Sequence, residues 1–381
     1  MTDRTAEPLL LTPGPLTTSR TVKEAMLRDW GARDSEFLAM NARVRDRLVE
    51  LAGGQGTHVA VLLQGTGTYA NEAAIGTFVP RAGKLLVLVN GAYGRRLAQI
   101  AGALSRAYAT LETAEDTPPD PTAVDAVLAG DPAITHVAMV YCETTSGLLN
   151  PLAEVAAVVA AAGRRLLIDA MSAFGALPLD ARVIPFDAMV SSFNKCLEGV
   201  PGAAFVICRR TALAEAAGNA HSVALDLVDQ WRFMERTGQW RFTAPTHVIA
   251  AFDQALAEHA AEGGVEGRGA RYRRNCQVLI AGMRTLGFRT YLPDGLQAPI
   301  IVTFHSPTDP QWDFDVFYER LRQRGYVIYP GKLTQADTFR IGCIGRLSEA
   351  DMHGALAALR AVLEEMGVRV PVPAGRSGPI P

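Results

Sequence analysis

Ala188-Met189-Val190-Ser191-Ser192-Phe193-Asn194-Lys195-Cys196-Leu197-Glu198-Gly199 passes from a short apolar run into hydroxyl groups, a lysine and a glycine. A run that is apolar on both faces is what a strand buried between two layers of helix requires. Comparable runs, several of them apolar on both faces, flank it on either side. Short β-branched runs at 57–63, 84–89, 107–111, 136–141, 165–168 and 203–208 alternate with Ala-rich helical periods at 68–78, 95–103, 121–129 and 151–162. That alternation predicts an α/β fold with a large, doubly wound, mostly parallel sheet. The helices at 121 and 151 begin with Pro, which suits a first helical turn.

Beyond residue 210 the pattern changes. Long helices are expected at 246–262 and 265–286, the second with its arginines on the exposed face, together forming a bridge between domains. Strand 300–304, helix 314–324, strands 327–329 and 338–343 and helix 348–366 then read as a smaller α+β unit. The expected organisation is an N-terminal arm over 1–20, a large domain over 21–255, a small C-terminal domain over 256–370 and a loose Pro/Gly-rich tail over 371–381. No internal repeat is present.

With 381 residues, 49% hydrophobic and 20% charged, the chain has the composition of a protein with a large core. Its 37 Lys and Arg nearly cancel its 39 Asp and Glu, so no nucleic acid or membrane partner is expected. Five cysteines stand singly at 142, 196, 208, 276 and 343, which argues against a disulfide framework or zinc ribbon and for small core residues. No HExxH or paired acidic ligand appears, so no metal is expected, and His136 and His247 read as structural. The first residues lack a basic region followed by an apolar stretch, and a cytoplasmic protein is expected.

Only four of the basic residues are lysines: Lys23, Lys84, Lys195 and Lys332. Arginine cannot form a Schiff base, and a semi-buried lysine, more easily deprotonated, can. Lys195 at a strand end therefore favours a covalent or proton-transfer role, whereas Lys332, beside Gly331, reads as a solvated loop charge. Gln64-Gly65-Thr66-Gly67-Thr68 follows a strand and opens a helix, where amides and hydroxyls can receive a phosphate. A tight connection alone would look the same. Leu166-Leu167-Ile168-Asp169 places an aspartate at the carboxyl end of an apolar strand, where open α/β sheets bind ligands, although a helix cap is the plain alternative. Together the three describe a pyridoxal 5'-phosphate site: a turn for the phosphate, Asp169 for the pyridine nitrogen, Lys195 for the aldehyde.

The chain resembles the fold-type I, class V aminotransferases. The resemblance is carried by Leu11-Thr12-Pro13-Gly14-Pro15-Leu16-Thr17, Arg28-Asp29-Trp30-Gly31-Ala32-Arg33-Asp34, Asn90-Gly91-Ala92-Tyr93-Gly94-Arg95-Arg96, Cys142-Glu143-Thr144-Thr145-Ser146-Gly147, the run from Asn194 to Gly202, Gln239-Trp240-Arg241-Phe242-Thr243, and Tyr329-Pro330-Gly331-Lys332-Leu333-Thr334. It implies transfer of the amine of 2-aminoethylphosphonate to pyruvate, in a homodimer with shared sites. By resemblance, Lys195 holds the cofactor and Asp169 its ring nitrogen. Thr66, Gly67, Thr68 and Asn194 form the phosphate cup with Thr243 of the other subunit. Tyr93 stacks on the ring, Thr144 approaches its phenolic oxygen, and Arg340 binds the acid group of both substrates. Gly14 and Arg33 are candidates for further contacts to the phosphonate. Phe193 and Arg346 depart from the family pattern; Phe193 is expected to affect packing beneath the cofactor, and Arg346 to face water. The competing readings are another class V transaminase, such as one pairing alanine with glyoxylate or serine with pyruvate, and a non-catalytic anion- or nucleotide-binding α/β protein, under which Lys195 is dispensable.

Overall fold

The computed structural model describes residues 7–333 and 336–372. Its main sheet has seven strands, β1 (His58–Gly65), β2 (Lys84–Val89), β3 (Ala107–Glu112), β4 (Ile134–Val140), β5 (Arg165–Asp169), β6 (Ala188–Ser192) and β7 (Gly202–Arg209). They stand in the order β3-β2-β4-β5-β6-β7-β1. Neighbours run parallel except the two pairs that involve β7. Because a pleated strand sends successive side chains to opposite faces, alternate residues fill two cores. Leu62, Leu86, Val137, Ile168, Met189 and Phe205 face one, and Val61, Val87, Ala138, Leu167, Val190 and Val206 the other.

Helices cover both faces: α1 (Ser35–Leu51), α2 (Gly67–Phe78), α3 (Ala92–Ala103), α4 (Pro121–Gly130), α5 (Leu152–Ala161) and α6 (Leu227–Thr237). Pro121 does occupy the first turn of α4, but Pro151 sits one residue outside α5 as its N-cap. Neither α1 nor α6 was expected. In α1 the buried residues Phe37, Met40, Val44 and Leu48 follow helical spacing behind the Asp34 cap, yet Arg43, Arg45 and Arg47 between them dilute the apolar signal.

Two long helices follow, α7 (Thr246–Ala261) and α8 (Gly264–Thr285). Contrary to expectation, the arginines of α8 do not all face outward: Arg268 is 1% exposed, and Arg271 is largely buried. A third core gathers Leu279, Val302, Phe304, Phe317, Phe339 and Leu359 around a three-stranded antiparallel sheet. Its strands are β8 (Ile301–His305), β9 (Tyr329–Pro330) and β10 (Thr338–Gly342), with β10 in the middle, flanked by α9 (Phe314–Gln323) and α10 (Glu349–Met366). The single strand expected at 327–329 is two pieces. Tyr326–Val327 pairs in parallel with Leu9–Leu10, and only Tyr329–Pro330 joins β10, with Ile328 buried between them.

Most of the tail expected over 371–381 lies outside the described residues, as do Thr334 and the first residues of the expected arm. Val372 is described and buried, and its N–H donates to the Leu286 carbonyl. Phe193 is fully buried and stacks on Phe252 with ring centroids 3.7 Å apart, while Arg346 is exposed. The five cysteines are buried and unpaired. Among the described residues no helix is long and apolar enough to cross a membrane.

Candidate active site

The carboxyl ends of the parallel strands carry the chemistry-bearing residues to one edge of the sheet. The turn from β1 into α2 brings Thr66, Gly67 and Thr68; β5 ends on Asp169; the loop after β6 carries Asn194 and Lys195; the start of α3 carries Tyr93. All of them line one cleft of about 200 Å³, together with Asn71, Arg96 and Ser192. A hollow of about 700 Å³ beside α1 and α7 is larger, but it is lined by Arg43, Asp46, Glu50 and Asp253 and brings none of the candidate residues together.

One end of the cleft is built for an anion. The N-cap of α2, Thr66, makes no hydrogen bond to its own helix with its side chain, so the hydroxyl and the first amides of α2 are left for a ligand. Arg96 reaches the same end, with Nη1 3.4 Å from Thr68 Oγ1 and Cζ 5.1 Å from the centre of the Tyr93 ring.

Asp169 is 5% exposed and accepts hydrogen bonds from Asn71 Nδ2 at 2.7 Å and from the Met171 amide at 3.0 Å. Burial pushes its carboxyl above the usual range, opposed by those two donors and by the Lys195 and Arg96 charges. Among the described residues no cation is within ion-pair distance of it, so this buried charge still has a place for a positive partner. Burial also pulls the Lys195 amine below its ordinary value, and Nζ donates to the Pro13 carbonyl at 2.7 Å. The N-terminal segment walls the amine closely. Gly14 adopts a left-handed φ of +120°, which favours glycine, and a Cβ there would meet Lys195 Nζ at 2.7 Å and displace the amine.

Behind the cleft, Glu143 is 0% exposed. Its Oε2 accepts from the Tyr93 and Gly94 amides, both at 3.2 Å, and its Oε1 from the Thr145 amide at 3.1 Å and hydroxyl at 2.5 Å. The N-cap of α3 is Gly91, which has no side chain to offer, so Glu143 caps that helix from a distant part of the sequence. Arg340, on β10, is buried; its Nε donates to the Pro330 carbonyl at 3.0 Å and its Nη1 to the Thr144 carbonyl at 2.8 Å. Lys332, read from sequence as solvated, is half-buried with Nζ 4.3 Å from the centre of the Tyr93 ring.

The fold thus gathers Thr66, Gly67, Thr68, Tyr93, Asp169, Asn194 and Lys195 at one cleft, with Gly14 against Lys195 and Arg340 against Thr144. Arg33 and Thr243 are exposed and stand outside the cleft of their own chain. The family model described as Aminotransferase class-V matches residues 20–312. The chain belongs to the class V aminotransferases. A protein of Burkholderia lata named 2-aminoethylphosphonate–pyruvate transaminase 2 is 56% identical over 364 residues, 96% of this chain and 97% of that protein. A 2-aminoethylphosphonate–pyruvate transaminase of Pseudomonas aeruginosa is 55% identical over 361 residues, 95% of this chain and 97% of its own. Among solved structures, pyridoxamine-pyruvate aminotransferase of Mesorhizobium loti superposes with a TM-score of 0.86 at 25% identity, covering 97% of this chain and 95% of its own.

Sequence reasoning missed four residues of this class V site. Asn71 lies one turn beyond Thr68 and Arg96 one turn beyond Tyr93, so helical spacing from the quoted motifs was the available signal. Ser192 stood in the deciding stretch, and its buried hydroxyl has no partner among the described residues while lining the cleft. Glu143 lay inside a quoted motif, but only the fold reveals the helix it caps.

Proposed function

We propose that this class V aminotransferase is a pyridoxal phosphate enzyme that moves the amine of 2-aminoethylphosphonate onto pyruvate, giving phosphonoacetaldehyde and L-alanine. One observation carries it: the cleft that sets Lys195 near Asp169 belongs to a chain 56% identical, over nearly its whole length, to proteins named for this reaction.

The donor set suits the cofactor. A buried carboxylate without a cationic partner suits a pyridinium, the uncapped start of α2 suits a phosphate, and the orphan Ser192 hydroxyl leaves one polar group free for a ligand. Bound there, pyridoxal phosphate supplies an electron sink for charge at the amine-bearing carbon. Asp169 holds the proton on the ring nitrogen, and Thr66, Gly67, Thr68 and Asn194 receive the phosphate with Thr243 of a second subunit. Tyr93 would offer its ring face to the cofactor and Thr144 its hydroxyl. Lys195 Nζ would hold the cofactor's aldehyde and, when not so engaged, would serve as the base that moves the substrate proton; its lowered pKa favours the neutral, accepting form. Arg340, whose Nε and one Nη1 hydrogen go to the Pro330 and Thr144 carbonyls, would turn its remaining Nη hydrogens to the acid group of either substrate, and the segment with Gly14 walls Lys195. The five free, buried thiols are consistent with a cytoplasmic location.

The test is amine transfer to pyruvate from 2-aminoethylphosphonate, alanine, serine and glutamate at matched concentrations, using alternative keto acids for alanine. Preferred transfer from 2-aminoethylphosphonate is the expected result. Preference for any of the others would assign the protein to a different class V reaction.

A further inference from the structure

We propose that Lys332 is the second cation of the acid-binding end, and that it selects a doubly charged phosphonate over a carboxylate. The inference rests on reading the cleft as a 2-aminoethylphosphonate site. Lys332 does not extend into solvent; its Nζ lies 4.3 Å from the centre of the Tyr93 ring. The loop that carries it is fastened to the acid-binding arginine, because Arg340 Nε donates to the carbonyl of Pro330, two residues earlier, at 3.0 Å. Lys332 and Arg340 therefore approach Tyr93 together. Burial works to raise the Tyr93 hydroxyl, but the Lys195, Lys332 and Arg340 charges, with Thr144, draw it below its ordinary value.

A count of charges decides what Lys332 is free to do. Lys195 is committed to the cofactor, and Arg96 turns toward Thr68 at the phosphate end. Glu143, the buried carboxylate behind Tyr93, has both oxygens occupied by Tyr93, Gly94 and Thr145. Arg340 and Lys332 remain. A carboxylate has one charge and two oxygens, which the planar fork of Arg340 satisfies. A phosphonate has a third oxygen and can hold a second charge, and a compact ammonium on a flexible stem suits both. If Lys332 only propped the Tyr93 ring by cation–π attraction, its loss would weaken both acids alike.

The experiment uses the holoenzyme and its K332M and K332R variants. Single-turnover half-reactions are measured with 2-aminoethylphosphonate and with alanine, and calorimetry follows binding of ethylphosphonate and propionate, which carry no amine to transfer. K332M is expected to weaken both phosphonates at least about ten-fold more than the matching carboxylates, the scale of one charge-assisted hydrogen bond. K332R, which keeps the charge, is expected to recover part of that difference. Equal losses for phosphonate and carboxylate in an enzyme active on 2-aminoethylphosphonate overturn the role of Lys332 alone. A wild-type enzyme that takes amine from alanine but not from 2-aminoethylphosphonate overturns the functional reading, and this inference with it.

Discussion

Asp169 and Glu143 are both buried carboxylates, and their donors assign them different tasks. Asp169 accepts from two groups and keeps capacity toward the cleft; Glu143 spends four acceptances on the backbone and hydroxyl behind it. Asp169→Asn is therefore expected to leave folding intact and slow amine transfer by about a hundred-fold or more, as when one fixed charge is removed from a dry site. Single-turnover kinetics check this, and near-normal turnover would make Asp169 a structural cap. Glu143→Gln should do the reverse. Its new amide must face N–H groups that already donate, which costs about 1–3 kcal/mol of stability, readable by denaturant unfolding. Lys195, Asp169 and the Thr66–Thr68 turn were legible in sequence because a strand end and a reactive side chain adjoin there. Nothing local marked Lys332, whose ring partner Tyr93 is brought to it only by the fold.

α8 shows what a helix can join once its charges are followed inward. Arg268 Nη1 donates to the carbonyl of Cys196, next to Lys195, at 2.6 Å, while Arg271 Nη1 donates to the carbonyls of Gly345 and Leu347, just beyond β10. Glu198 and Glu262 balance the two guanidinium groups, and the Tyr272 hydroxyl donates to Glu198 Oε1 at 2.6 Å. One helix thus holds the lysine loop on one side and the continuation of the strand that carries Arg340 on the other. Arg271→Met leaves Glu198 and Glu262 to share the one cation Arg268 and is expected to cost about 3 kcal/mol, measured by denaturation, with both half-reactions slowed alike. A selective loss with one substrate would contradict that positioning role. Burial opposes the charge of Glu262, yet Arg271 and Arg268 hold its carboxyl down to about 2. A depressed carboxylate stabilises the fold above its ordinary 4.5, and that contribution is lost as pH falls toward about 2. Acid unfolding should steepen across that window, and Glu262→Gln should remove that part of the pH dependence. The helix itself was legible from its length and period. Its inward arginines were not, because one partner, Glu198, sits in a loop at a left-handed φ of +58° far away in the chain.

Across the whole molecule, the strands of the main sheet were read to within about two residues because most are apolar on both faces, the exposed edge strand Ala107–Glu112 excepted, and the cleft followed from where those strands end. Thr243 is the exception. It is exposed beside the half-exposed Phe242, so a phosphate contact from it requires a second copy of the chain. Mixing inactive Lys195→Ala subunits with inactive Thr243→Ala subunits is expected to restore activity in the mixed dimers; no recovery, with exchange verified, would count against a shared site. The short pairing of Leu9–Leu10 with Tyr326–Val327 belongs to the same scale, because the segment that follows it reaches Lys195 through Pro13 and Gly14. During synthesis Leu9–Leu10 leaves the ribosome long before its partner strand exists, so it must wait while the main sheet assembles. The wall over the lysine would therefore be set late, leaving the newborn pocket open until translation is almost complete.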